Sequence, residues 1–255
     1  MRFDDGASYE QMMGRWSALV GAPFLDWLAL PAGLDWVDVG CGNGAFTETL
    51  VARQQPASVV GVDPSPAQLD YARQRPGTAG VRWLEGDAMA LPVADAGADV
   101  ALMALVLFFV PEPARAVAEM VRAVRPGGTV AAYHWDLDGG GSPMQALLDA
   151  AAAEQQPMAQ PSSVWAAAQD ASERLWREAG LLDVQSTRFD VQRRFEDFDA
   201  WWATALVSPR SKALFATLAP EATARIRERA RAALGAGDGE LVVRANANAV
   251  KGRKA

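Results

Sequence analysis

Cysteine, histidine, tyrosine and lysine are all scarce in this chain: 255 residues hold one Cys, one His and three Tyr. A lone cysteine, Cys41, rules out an intramolecular disulfide framework and fits a reducing compartment, so a cytoplasmic location is expected. Positive charge is also short. Lys and Arg number 24 against 31 Asp and Glu, a net −7, nearly all the bases are Arg, and the few Lys come late. Nucleic-acid backbones demand clustered cations, so no nucleic-acid partner is expected. The longest apolar run, Val100 to Val110, is too short to span a bilayer, and the acidic start Met1-Arg2-Phe3-Asp4-Asp5 lacks the apolar stretch of a secretory signal. A soluble protein without a membrane partner is expected. Repeats, coiled-coil heptads and linkers are missing too, and no metal site is expected. What remains is ordinary globular composition, 50% apolar and 22% charged. A chain of this length can bury one large core, so 1–255 is read as a single domain.

The periodicity alternates between strands and helices. Tyr9, Met12, Met13, Trp16 and Val20 predict an amphipathic helix, followed by a second helical piece around Phe24 to Leu30. Strands are predicted at Trp36–Val39, Ser58–Val62, Val81–Glu85, Val100–Met103 and Thr129–Tyr133. Ser65 with Pro66 marks a helix start, and Pro126-Gly127-Gly128 is expected to break the helix that begins near Pro113. The segment from Asp138 to Pro161 is rich in Gly, Pro, Gln and Ala and is read as a cover with a helix from Met144 to Ala153. A helix closed by Gly180, a strand from Val184 to Phe195, a helical insert and a last strand from Leu241 to Val250 follow. Strand, insert, strand at the end of a parallel chain predicts an antiparallel edge hairpin. The segments are read as 1–33 (N-terminal cover), 34–135 (core), 136–167 (variable cover) and 168–255, with an insert at about 196–236.

The chemistry concentrates where the first strand ends. Trp36-Val37-Asp38-Val39-Gly40-Cys41-Gly42-Asn43-Gly44 runs from a buried strand into a turn paved with glycine, and a helix begins at once. Glycine accepts positive φ and lets a ligand lie against bare backbone, while the helix start turns unpaired N–H groups into the same space. Such a strand–glycine–helix unit suits a nucleotide-like molecule. Asp63 closes strand two, nineteen residues after Gly44, where a carboxylate can accept both ribose hydroxyls.

The sequence Asp38-Val-Gly-Cys-Gly-Asn-Gly44, the acid Asp63, Gly86-Asp87-Ala88 after strand three and Arg125-Pro-Gly-Gly128 before strand five resemble, in order and spacing, the class I S-adenosylmethionine (SAM)-dependent methyltransferases. The similarity is to the small-molecule, ubiquinone/menaquinone-type (type 11) branch. The resemblance implies a Rossmann-like α/β fold: a seven-stranded, mostly parallel sheet of order 3-2-1-4-5-7-6, helices on both faces and a helical cover. It implies that SAM is bound, with S-adenosylhomocysteine (SAH) as product, by Tyr9, Arg15, Trp16, Asp38, Gly40, Cys41, Gly42, Asp63, Pro64, Gly86, Asp87, Ala88, Met103, Ala104 and Leu105. In that reading Asp38 sits by the ligand's ammonium, Asp63 takes the ribose and Asp87 the adenine amino group. Backbone near Met103 and Ala104 meets the methionine end, and Arg15 meets the carboxylate.

The implied activity is in-line transfer of the sulfonium methyl to a small-molecule acceptor by a monomer or homodimer. Positioning supplies roughly 7–11 kcal/mol of such a barrier and one acid–base residue about 3–5, so a general base is optional. His134, just past strand five, is the one candidate. Cys41 reads as a small packing residue and the Arg225, Arg227, Arg229, Arg231 series as a solvated helix surface. Two other readings stay open. Gly40-x-Gly42-x-x-Ala45 with Asp63 also satisfies a nicotinamide-dinucleotide fingerprint, although no Tyr-x-x-x-Lys pair for hydride chemistry accompanies it. A SAM-binding protein of this fold that does not methylate is the other.

Overall fold

Short β-branched runs form the middle of the sheet. The computed structural model describes residues 14–255. In it β1 (Asp35–Val39) lies parallel between β2 (Ser58–Asp63) and β4 (Ala98–Ala104), with Val37 opposite Val60 on one side and Ala101 on the other. β3 (Arg82–Glu85) extends the sheet beyond β2, and β5 (Val124–Trp135) extends it beyond β4. β6 (Leu182–Phe195) and β7 (Leu241–Arg253) pair antiparallel at the far edge, giving a seven-stranded sheet of order β3-β2-β1-β4-β5-β7-β6. That is the predicted Rossmann-like order with its terminal hairpin. Strand order reverses between β1 and β4, and ligands of open α/β sheets lie at such a switch point, beyond the carboxyl ends of the strands.

Alternation along each strand divides the core between the two faces. Tyr133 and Trp135 of β5 pack with helices α1 (Arg15–Leu28) and α2 (Ala45–Gln54). Val130 and Ala132 pack on the opposite face with α4 (Pro113–Ala123) and α6 (Gln169–Glu178). Helix α3 (Pro66–Ala72) starts as predicted, with the Ser65 hydroxyl accepting from the Gln68 amide at 3.4 Å. Tyr133 ties α1 down: its ring lies 4.9 Å from Phe24 and 5.6 Å from Phe46, and its hydroxyl is 3.0 Å from that of Ser17. α5 (Gln145–Ala153) and, between β6 and β7, α7 (Phe198–Ala205), α8 (Pro209–Phe215) and α9 (Pro220–Ala233) make the cover. No helix among the described residues is long and apolar enough to cross a membrane.

Three expectations are corrected. The two helical pieces expected on either side of residue 23 are, in their described part, one helix, α1, that runs through Pro23. Pro126-Gly127-Gly128 does not break the helix, which already ends at Ala123: strand five starts at Val124, paired with Ala98, rather than at Thr129, and the Gly127 amide donates to the Lys254 carbonyl at 3.0 Å and the Lys254 amide to that of Gly128 at 2.8 Å. The alternating arginines of α9 are ion-pair partners rather than a merely solvated face. Arg225 and Arg229, four apart and so on one side of the helix, both grip Glu154 just past α5, with Nε–O distances of 2.7 and 2.6 Å. Arg227 pairs with Asp199 of α7.

Candidate active site

The β1–α2 turn is held open by its neighbours. The Gly40 and Cys41 amides donate to the Val62 carbonyl at 2.7 and 3.1 Å, so the turn is stapled to the end of β2. Gly40, Gly42 and Gly44 all have positive φ, at 75°, 54° and 79°, but each serves a different end. A Cβ on Gly40 would lie 2.5 Å from the Val106 side chain, and one on Gly44 would lie 3.1 Å from Ala72 and Trp83. These two glycines let the segment after β4 and helix α3 close in on the turn. A Cβ on Gly42 would meet no described atom within 4 Å, so its bare backbone faces open space. Gly40→Ala combines positive φ with that collision and is expected to cost about 2–4 kcal/mol, with Val106→Ala restoring part of it. Urea unfolding of the single and double variants would check this.

Two carboxylates flank the turn. Asp38 is fully buried; its Oδ2 accepts from the Thr47 hydroxyl at 2.6 Å, and its Oδ1 has no hydrogen-bond partner among the described residues. Burial, opposed by the Thr47 bond and reinforced by the Asp63 charge, pushes its pKa up to about 7. Asp63 accepts from the Gly42 amide at 2.9 Å through Oδ2 and from the Ser65 amide at 2.9 Å through Oδ1. Burial raises its pKa as well, against those two backbone donors. Each Asp63 oxygen keeps a further lone pair, so the carboxylate still has room for a vicinal diol. Cys41 is buried, its thiol pushed up by burial and by the charges of Asp38 and Asp63. That is the opposite of what a nucleophile needs.

This arrangement fits SAM on the structure's own terms. An orphaned buried acceptor suits an ammonium, a carboxylate with spare lone pairs suits a ribose, and glycine backbone lies open between them. Pro64 is exposed beside Asp63. Farther along the same edge, exposed Asp87 accepts from the Met89 amide at 2.8 Å and closes a turn, with Gly86 and Ala88 half-buried around it. Met103 is buried and Ala104 half-buried at the end of β4. Arg15 is exposed at the start of α1, whereas Trp16 is wholly buried and meets Trp135 edge-on at 6.2 Å. Tyr9 lies outside the described residues.

Leu105 joins this edge to a second space. It holds φ of +63°, a left-handed conformation unusual for a residue with a side chain, fixed by its amide donating to the Tyr133 carbonyl at 2.8 Å. Its side chain lines a cavity of about 80 Å³ walled by Phe108, Trp135, Leu147 and Met158, with Arg210 and Ser211 on the side of α8. His134 is absent from that lining. It shares the β5 face of Val130 and Ala132, is fully buried, and neither ring nitrogen has a partner among the described residues. Burial lowers its pKa to about 4. The expected placement of His134 beside the acceptor is therefore corrected: strand alternation carries it to the other side of the sheet. Sequence reasoning passed over Thr47, which sets the Asp38 rotamer, and Arg210. The first was legible as a hydroxyl in the first turn of α2; the second had no signal.

Comparison with known proteins agrees with this geometry. Residues 37–132 match the family model described as a methyltransferase domain. A stretch of 125 residues, 48% of this chain and 24% of the relative, is 37% identical to the biotin biosynthesis bifunctional protein BioHC of Cellvibrio japonicus. Another of 109 residues, 42% of the chain and 48% of the relative, is 38% identical to a 2-phytyl-1,4-naphtoquinone methyltransferase of Thermosynechococcus vestitus. These matches span less than half the length of either relative. Among solved structures, the YcgJ protein of Bacillus subtilis superposes with a TM-score of 0.62 at 16% identity, over 94% of this chain and 98% of that one, a likeness of fold. Motif, sheet order and family model agree: residues 37–132 match a methyltransferase domain, set in a seven-stranded sheet of the order that the resemblance implies.

Proposed function

We propose that the protein transfers a methyl group from SAM to a small, largely apolar acceptor seated in the cavity behind Leu105. One observation carries the reading: the strained Leu105 is at once the end of the cofactor edge and a wall of the apolar cavity. When bound, SAM would supply a sulfonium methyl whose carbon an acceptor lone pair or carbanion can attack in line, with the S–CH3 bond breaking and SAH leaving. Asp38, Asp63 and the Gly42 backbone bind and orient; Leu105, Phe108 and Trp135 exclude water from the acceptor. Fixing two reactants in such a chamber is worth roughly 7–11 kcal/mol, enough to need no strong base. Among the described residues, Asp38, Asp63, Pro64, Gly86, Asp87, Ala88 and the Met103–Leu105 backbone are the proposed cofactor contacts, with Arg15 toward the carboxylate.

The test is incubation of the purified protein with methyl-labelled SAM and a broad metabolite extract. The expected result is label in a small molecule, dependent on Asp63. Tight SAM binding with no labelled product would favour a SAM-binding protein of other chemistry. His134 takes no step in this proposal. His134→Leu is expected to keep turnover within about 3-fold, whereas loss of a general base costs about 10²–10⁴-fold. Because the substitution also removes two unpartnered buried nitrogens, the melting temperature should hold or rise.

A further inference from the structure

The cavity behind Leu105 is apolar apart from three serines and one charged side chain, Arg210. The serines are already occupied. Ser211 donates to the Ala205 carbonyl at 2.7 Å and lies 2.7 Å from the Ser208 hydroxyl, and Ser142 accepts from the Met144 amide at 3.2 Å. Arg210 is different. Its Nη1 donates to the Ala159 carbonyl at 3.1 Å, and no carboxylate lies within 4.0 Å of the guanidinium among the described residues. The other arginines of the insert, Arg225, Arg227, Arg229 and Arg231, all have acidic partners. Arg210 is half-buried, and burial lowers its pKa, so the fold holds an uncompensated cation beside an apolar wall. Such a cation is costly unless something anionic completes it.

We propose that Arg210 recognises an acidic group on the acceptor, so that the methylated molecule is an apolar body carrying a carboxylate or a phosphate monoester. Both anions match the planar guanidinium fork, and the wall of Leu105, Phe108, Trp135 and Leu147 takes the apolar body. The inference rests on the reading of this cavity as the acceptor chamber. Arg210 is a specificity-determining residue here; methyl transfer itself does not require its charge.

Calorimetry on the SAH-loaded protein with three probes of one shape, 2-naphthoate, 2-naphthyl phosphate and neutral 2-naphthamide, tests this. At least one anion is expected to bind about 10–100-fold tighter than the amide, the range of a charge-assisted hydrogen-bonded pair. The preferred anion tells carboxylate from phosphate. Arg210→Met should erase the preference for the anions while leaving SAH affinity unchanged, and Arg210→Lys should keep part of it. Equal binding of anions and amide, a preference that survives in Arg210→Met, or no probe binding to protein that does bind SAH would overturn the assignment of Arg210. Failure of SAH itself to bind would instead bring down the cofactor reading beneath it.

Discussion

Asp63→Asn is expected to weaken SAM and SAH binding by roughly 10²–10³-fold, the loss of one to two hydrogen bonds to a charged acceptor. The carboxylate is pre-set for this work by the Gly42 and Ser65 amides, which fix both oxygens at 2.9 Å and leave each with a further lone pair. An asparagine can satisfy only one of those amides as acceptor, and its own NH₂ then confronts the other donor. A structural cost of about 1–3 kcal/mol accompanies the substitution for that reason. The two effects separate experimentally. Urea unfolding of the unliganded variant reports the structural part, and calorimetric titration of the folded variant reports the ribose part. Asp63→Glu, which keeps the charge on a longer stem, should recover some affinity. Near-native SAH affinity in folded Asp63→Asn would remove the ribose assignment.

SAM affinity should rise steeply with pH up to about 7, because of Asp38. In the unliganded protein burial holds its carboxyl protonated to about pH 7, with the Asp63 charge acting in the same direction. A ligand ammonium beside the orphaned Oδ1 favours the ionised form, so the complex binds fewer protons than the free protein. By linkage, affinity then strengthens as pH rises through that window and levels off above it, a change of about 50–100-fold between pH 5 and pH 7. Asp63, whose pKa is also raised, adds to the slope, and Asp38→Asn should remove most of it. The unliganded protein responds in the opposite sense. The unfolded chain gives up this proton near 3.8 and the folded one near 7, so folding stability falls as pH rises between them, by on the order of 4 kcal/mol in all. The ligand's positive charge offsets part of that cost. Titrations at several pH values, with the proton released counted from two buffers of different ionisation enthalpy, would check the sign.

What the sequence could reveal depended on how local each feature is. The strand cores, the Ser65 cap and the turn at Gly40 to Gly44 are short-range patterns and were readable directly. The acids Asp38 and Asp63 were readable because they lie at or next to the last residue of strands whose neighbours are fixed by the fold. Distinguishing Gly42 from Gly40 and Gly44 was beyond a motif, since it depends on Val106, Ala72 and Trp83 arriving from elsewhere in the chain. The early start of β5 depends on Ala98 of β4, which pairs with Val124, and on Lys254, which holds Gly127 and Gly128 from the far end of the sequence. His134 looked well placed in sequence, yet one step along a strand sends a side chain to the other face. Arg210 was invisible for the opposite reason: in a chain rich in arginine, only its place on the cavity wall, with no paired acid among the described residues, sets it apart.

The central claim is that SAM lies across Asp38, Gly42 and Asp63 with its methyl toward the cavity at Leu105. Calorimetric titration of the wild-type protein with SAH at pH 6 and pH 8 tests it most directly. The account predicts one site per chain, tighter binding at pH 8, and proton release at pH 6 that Asp38→Asn suppresses. A well-folded protein that takes up no SAH, or that binds it with no change between the two pH values, would contradict it.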